Sequence, residues 1–134
     1  YITSAKEFEA LKTASVLKNA IDSFWIANAG NASRARTMIK NYYNRVGEAN
    51  ILFSSYLEGW KTDKGMIYII FGMPRAVYVN DNYEEWVYGD ISQAKALRFY
   101  FVKVENPFTQ NDYMLERSSQ FREPWYRAID RLRR

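Results

Sequence analysis

The feature that most constrains the fold is a change of hydrophobic period at residues 59–65. Ahead of Gly59-Trp60-Lys61-Thr62-Asp63-Lys64-Gly65, apolar residues recur every three to four positions, as on one helical face. Behind it they alternate or run together, as in strands. Helices first and strands afterwards give an α+β layout, not a series of βαβ units. The expected architecture is an N-terminal antiparallel helical hairpin packed on a C-terminal antiparallel meander of about five strands, with a short C-terminal helix. Residues 1–117 form the domain, and 118–134 are a C-terminal extension of the same unit. With 134 residues and 48% hydrophobic composition, the chain is long and apolar enough for one packed core.

Ser4-Ala5-Lys6-Glu7 is a capping box, in which serine and glutamate satisfy each other's backbone amides. Phe8, Leu11, Ala14, Leu17, Ile21 and Phe24 then keep helical spacing, which predicts a first helix over 5–28, closed by Ala29-Gly30-Asn31. Ser33 caps a second helix that runs to Phe53, and the two stripes bury against each other. Gly47 costs this helix roughly 1 kcal/mol against alanine, which a close approach there of the two helices, or of helix and sheet, would offset.

Met66-Ile67-Tyr68-Ile69-Ile70-Phe71 is apolar on both faces and reads as a central, covered strand. Gly72-Met73-Pro74 ends it. Further strands follow at 76–79, 83–88, 96–104 and 113–117, joined by Asn80-Asp81-Asn82, a loop from Gly89 to Lys95, and a polar loop to Asp112. Alternation places Trp86 with Tyr88 on one face of the third strand. Leu97, Phe99 and Phe101 share one face of the fourth, and Arg98, Tyr100 and Val102 the other. Pro124 opens one or two turns of helix in which Trp125, Ile129 and Leu132 are spaced four and three apart, with Trp125 or Tyr126 tying it to the domain and a frayed arginine end.

Within the heptapeptide, Gly59 and Gly65 supply backbone geometry, and Thr62 and Asp63 hold turn amides. Trp60 is expected to plug the seam between helices and sheet, so that Trp60→Ala would cost about 3–5 kcal/mol. Lys61 and Lys64 are expected in solvent. If Asp63 does more than cap, its expected ion-pair partner is Arg45 or Arg34 from the second helix.

The composition excludes several chemistries. With no His and no Cys, the chain lacks the usual general base, the commonest transition-metal ligand and any disulfide. Glu84 and Glu85 are strand neighbours and point to opposite faces, so they form no dyad. Asp63, Asp90 and Asp112 come from separate loops. Asn80-Asp81-Asn82 and Asn111-Asp112 carry oxygen ligands suited to calcium but lack the twelve-residue loop pattern, and read as turns. No glycine pattern cradles phosphate, backbone capping explains Thr62 and Asp63 without a nucleophile and its base, and no cofactor or metal is expected. The net charge of +4 is dispersed: residues 66–117 carry five Lys/Arg against seven Asp/Glu, and the tail 118–134 carries five Arg against two acids. No continuous basic face results, which argues against nucleic acid as a partner. Arg98-Phe99-Tyr100-Phe101-Val102 has the aromatics of an RNA-recognition strand without its glycines. No apolar run approaches the ~20 residues that span a bilayer. The chain opens on Tyr without a signal-peptide pattern, from which a piece of a longer precursor is expected.

In order along the chain, Gly59-Trp60-Lys61-Thr62-Asp63-Lys64-Gly65, then Gly72-Met73-Pro74, then Trp86-Val87-Tyr88 resembles the GWxTD domain, a family of unknown function in exported proteins of Bacteroidetes and Acidobacteria. Trp25 and the run Arg45-Val46, Ala49-Asn50 and Phe53 fit its helices. The resemblance implies a periplasmic or outer-envelope setting and carries over no catalytic residue. The expected function is a non-enzymatic structural or interaction domain of a larger exported envelope protein. It would bind other segments of its own precursor or another envelope protein, through a surface rich in Tyr and Trp. The alternative is a glycan-binding module in which exposed Tyr or Trp rings, such as Tyr78, Tyr88 and Tyr100, stack on sugars.

Overall fold

The computed structural model describes residues 1–91 and 95–134. Helices α1 (Ala5–Lys12), α2 (Leu17–Ala29) and α3 (Ala32–Phe53) come first, then a 3₁₀ turn (Gly59–Lys61) and α4 (Asp63–Phe71). Strands β1 (Ala76–Val79), β2 (Tyr83–Tyr88), β3 (Leu97–Lys103) and β4 (Tyr113–Leu115) follow. A second 3₁₀ turn (Ser119–Phe121) leads into α5 (Arg122–Leu132). The class is α+β as expected, and the sheet is an antiparallel meander in the order β1-β2-β3-β4. The loop expected from Gly89 to Lys95 falls in part on 92–94, outside the described residues.

The largest departure is residues 66–71, which form the body of α4 and no strand, so the sheet has four strands instead of about five. The Thr62 hydroxyl caps this helix by accepting the Gly65 amide, and Asp63 sits in its first turn, where the helix dipole favours a carboxylate. An apolar run without period fits a helix buried on all sides as well as a covered strand. That is what α4 is. Ile67 and Ile69 pack among Ala49 of α3 and Trp86, Phe99 and Phe101 of the sheet, while Ile70 joins Trp25, Met38 and Ile129 in a second cluster. The chain therefore puts its most apolar helix between the sheet and the other helices.

The helix expected over 5–28 is broken. α1 ends at Thr13, whose hydroxyl turns back onto the Glu9 carbonyl (2.8 Å), and Val16 is extended at the start of α2. Thr13 and Ser15 compete for backbone hydrogen bonds and Val16 is β-branched, which makes this stretch the weakest point of the helical run. The capping box holds, Gly30 closes α2 with φ at 79°, and Asn31, two residues ahead of Ser33, caps α3 by accepting the Arg34 amide (2.9 Å). Gly47 faces open space, so no close approach offsets its cost.

The C-terminal extension is more ordered than expected. α5 runs for 11 residues and buries Ile129 in the helical cluster. Arg133 donates from Nε to Asn28 Oδ1 (2.6 Å) and pairs with Glu7, which ties the last turn to α1 and α2.

Candidate functional site

The heptapeptide is a corner at which three pieces of backbone touch. A Cβ on Gly59 would lie 1.9 Å from the Ala49 carbonyl oxygen of α3, and a Cβ on Gly65 would lie 1.8 Å from the Gly59 carbonyl oxygen. Only glycine fits at either place, because both contacts are to main chain that cannot rotate away. The stack is stitched by short polar links. Ser54 Oγ accepts the Gly59 amide (3.1 Å), Asn50 Oδ1 accepts the Trp60 amide (3.0 Å), and Thr62 Oγ1 donates to the Gly59 carbonyl (2.7 Å) while accepting the Gly65 amide (3.0 Å).

From this corner two charged side chains reach the sheet. Asp63 accepts the Leu115 amide (2.7 Å) and pairs with Arg117 (3.3 Å), which fastens α4 to β4. Neither Arg45 nor Arg34 is its partner. Arg45 donates to the Ile69 carbonyl (2.9 Å) at the far end of α4, and Arg34 to the Arg134 carbonyl (2.5 Å). The reason is direction: Asp63 starts α4, and its carboxylate faces the strand amide that the helix N-terminus abuts.

Lys64 corrects a second expectation. It is 7% exposed, with Nζ 2.6 Å from Glu84 and 3.4 Å from the centre of the Tyr113 ring. The other Glu84 oxygen accepts Trp86 Nε1 (2.6 Å). Burial pushes the Lys64 ammonium below its ordinary pKa, and the Glu84 carboxylate pulls it partly back. Both residues were detectable from spacing. Glu84 alternates with Trp86 and Tyr88 on the covered face of β2, and Lys64 stands three and four residues before Ile67 and Tyr68 on α4 once 66–71 is taken as helix. Arg117, Tyr113 and Asn50 join through the fold, with no local signal.

Trp60 does not plug the seam. The 3₁₀ turn buries Gly59 and turns the indole outward, leaving Trp60 39% exposed, edge-on to Tyr1 at 6.4 Å with Lys61 5.4 Å from its centroid. Its carbonyl accepts the Tyr1 hydroxyl (2.6 Å). At the other end of α4, Gly72 adopts φ of 81° and its carbonyl accepts the Tyr88 hydroxyl (2.9 Å); Pro74 follows before β1. Trp86 and Tyr88 therefore share the covered face, as alternation predicts.

Residues 1–134, the whole chain, match the model of the GWxTD domain. The chain belongs to the GWxTD domain family. No curated protein and no solved structure matches it. In this GWxTD domain the signature glycines, threonine and aspartate are all engaged in joining α3, α4, β2 and β4.

Asp63 and Asp112 line one depression of about 280 Å³ with Tyr56, Lys61 and Tyr113, but Asp90 is not among its lining residues. Asp63 is occupied as described and Asp112 accepts Asn106 Nδ2 (3.0 Å), so both carboxylates act as anchors. Glu84 and Glu85 point to opposite faces, Glu85 accepting from Arg98 (2.5 Å) and Tyr100 (3.1 Å). At the two oxygen-rich turns, Asn80 Oδ1 accepts the amides of Asn82 and Tyr83, and Asn111 Nδ2 donates to the Ser54 carbonyl. These are turn and loop contacts.

The GWxTD domain leaves a different surface open. On the sheet face away from α4, Tyr78, Glu85 and Tyr100 form one cross-strand row, flanked by Tyr83, Val102 and Met114. Tyr83 and Tyr100 meet edge-to-face at 6.2 Å, and Tyr78, Tyr83, Val102 and Met114 are exposed. β1 is the outer strand beside this row. The Asn80 amide donates to the Tyr83 carbonyl (3.0 Å), so by antiparallel alternation Tyr78 and Ala76 bond to β2, and the backbone groups of Val77 and Val79 point outward. Val77 and Tyr78 are exposed, and Val79 is 67% exposed.

Proposed function

We propose that this GWxTD domain is a non-enzymatic interaction module of a larger exported cell-envelope protein, and that it captures an extended polypeptide segment as a strand added to β1. The observation that carries the reading is the β1 edge. Sheet edges are ordinarily guarded by charge, proline or a covering element, because an open edge pairs with other chains. β1 reads Ala76-Val77-Tyr78-Val79, with no charge and three exposed apolar side chains. An added strand would bond to the outward groups of Val77 and Val79 and lay alternate side chains on the tyrosine row. The segment would come from the precursor itself or from another envelope protein, and the setting proposed for the domain is the periplasm or the outer envelope. No helix among the described residues is long and apolar enough to cross a membrane.

The test is a random-peptide display selection against the domain, read by amide exchange and by Val77→Pro. Proline at 77 removes an outward donor without touching the ladder to β2. Selected peptides that protect the Val77 and Val79 amides, and that lose binding to a folded Val77→Pro variant, support the proposal. Peptides that bind Val77→Pro equally well, or no enriched peptide, overturn it. The tyrosine row supports a second reading, glycan stacking by Tyr78, Tyr83 and Tyr100, whereas Tyr88 is committed to Gly72. A glycan array on which binding falls with Tyr100→Ala but survives Val77→Pro would favour that reading.

A further inference from the structure

A groove of about 580 Å³ runs between α3 and the end of α5. Along α3 its wall is Arg34, Thr37, Asn41, Arg45 and Glu48, and α5 contributes Arg131, with Arg134 beyond it. Arg34 and Arg45 are eleven residues apart, three helical turns, so their side chains leave α3 within about 20° of each other and roughly 16 Å apart along the axis. Met38 and Leu132 form an apolar floor.

The charges are unbalanced. Among the described residues that line the groove, four arginines stand against one acidic side chain, Glu48, which already accepts the Tyr68 hydroxyl (2.7 Å). Among the described residues neither Arg34 nor Arg131 is paired with an Asp or Glu side chain; Arg34 donates one guanidinium N–H to the Arg134 main-chain oxygen (2.5 Å), while Arg133, between Arg131 and Arg134, turns away to Glu7 and Asn28. Arg45 is held rigid by its bond to Ile69, so one end of the groove is preorganised. Guanidinium forks suit planar or tetrahedral oxyanions, and the Thr37 and Asn41 side chains between them offer neutral donors. The three-turn separation suits an anion with more than one charged centre.

We propose that this groove is a binding site for a multivalent oxyanion, with Arg34 and Arg131 gripping one end and Arg45 the other. It is independent of the β1 edge, so either reading can fail alone. The experiment is calorimetric titration of the full chain with pyrophosphate and with citrate, alongside flotation with phosphatidylglycerol vesicles. The paired variant Arg34→Gln/Arg131→Gln tests the groove, and Arg36→Gln/Lys40→Gln, on the opposite side of α3, removes the same charge elsewhere. The expected result is binding weakened at least tenfold by the groove pair and less than twofold by the control pair. Binding of the soluble anions marks a free ligand as the source, and binding of vesicles alone with the same dependence marks a lipid headgroup. Equal weakening by the two pairs, or no binding to any probe at millimolar concentration, overturns the proposal.

Discussion

Gly65→Ala separates two opposing effects, and the structure says which one wins. Gly65 lies inside α4, where alanine should stabilise by about 1 kcal/mol through helix propensity. Against this, the new methyl would sit 1.8 Å from the Gly59 carbonyl oxygen and 2.7 Å from its carbon, where ordinary contact begins at 3.4 Å. The turn and α4 would have to part by about 1.6 Å, the 3.4 Å of ordinary contact less the 1.8 Å to the oxygen. That movement breaks the Thr62 bonds to the Gly59 carbonyl and the Gly65 amide. Two hydrogen bonds are worth about 1 kcal/mol each, and forced overpacking about 1–3 kcal/mol. Less the propensity gain, the net loss is about 2–4 kcal/mol, a fall in Tm of roughly 8–15 °C for a domain of this size. Urea unfolding followed by tryptophan fluorescence, with calorimetry for Tm, measures it. Gly47→Ala is the matched control, since a Cβ there meets nothing within 4 Å and should gain up to about 1 kcal/mol. If Gly65→Ala proves as stable as the parent, the three-backbone stack is wrong.

Trp60→Ala should cost only about 1–2 kcal/mol, below the 3–5 expected for a buried indole, because the ring is partly exposed and its backbone links survive; a larger loss in the same urea assay would place the ring in the core. Lys64→Met should cost about 3 kcal/mol by leaving Glu84 charged and unpaired, and Lys64→Met/Glu84→Gln should recover most of it, since glutamine still accepts Trp86 Nε1. A double variant no better than the single one would show that the pair is not coupled. Burial raises the Tyr42 phenol to about 12, and burial raises Tyr88 as well, so above pH 10 the unfolded chain releases protons that the folded chain keeps. Stability is therefore complete below pH 10 and falls as pH rises from 10 toward 12; an absorbance titration in which Tyr42→Phe and Tyr88→Phe remove no late-ionising phenol would refute it.

β2 and β3 were legible because they are covered on one face and largely open on the other, Val87 being the buried exception on the open face, so alternation records their orientation. Leu97, Phe99 and Phe101 are on the covered side and Arg98, Tyr100 and Val102 on the open one, as period two requires. Residues 66–71 were not legible by the same rule, because a helix enclosed by sheet and helices has no polar face to reveal its period. The deciding signal was the cap, Thr62-Asp63 ahead of Gly65, which reads equally as a turn. Reading the run as a strand carried the other errors with it. Lys64 then seemed to lie in a solvated loop, and Asp63 seemed free to look back at Arg45. The partners of Asp63 are 52 and 54 residues away on β4 and beyond it, a distance at which pattern says nothing.

The chemistry of the corner also bears on where function resides. A threonine, an aspartate and a lysine between glycines resemble a catalytic loop, yet each side chain has a structural partner. Thr62 caps, Asp63 holds a strand amide, and Lys64 is sealed against Glu84 and Tyr113. A buried ion pair contributes little net stability, and it strongly penalises any packing that separates the partners. With glycine contacts that admit no side chain, the pair fixes the register of α4 on the sheet. Variants of the signature should therefore lose stability and binding together. Val77→Pro at the β1 edge and Arg34→Gln/Arg131→Gln in the groove should each lose one kind of binding at unchanged Tm. A signature variant such as Asp63→Ala that abolished peptide binding at full stability would break this separation and return the corner to consideration as a site.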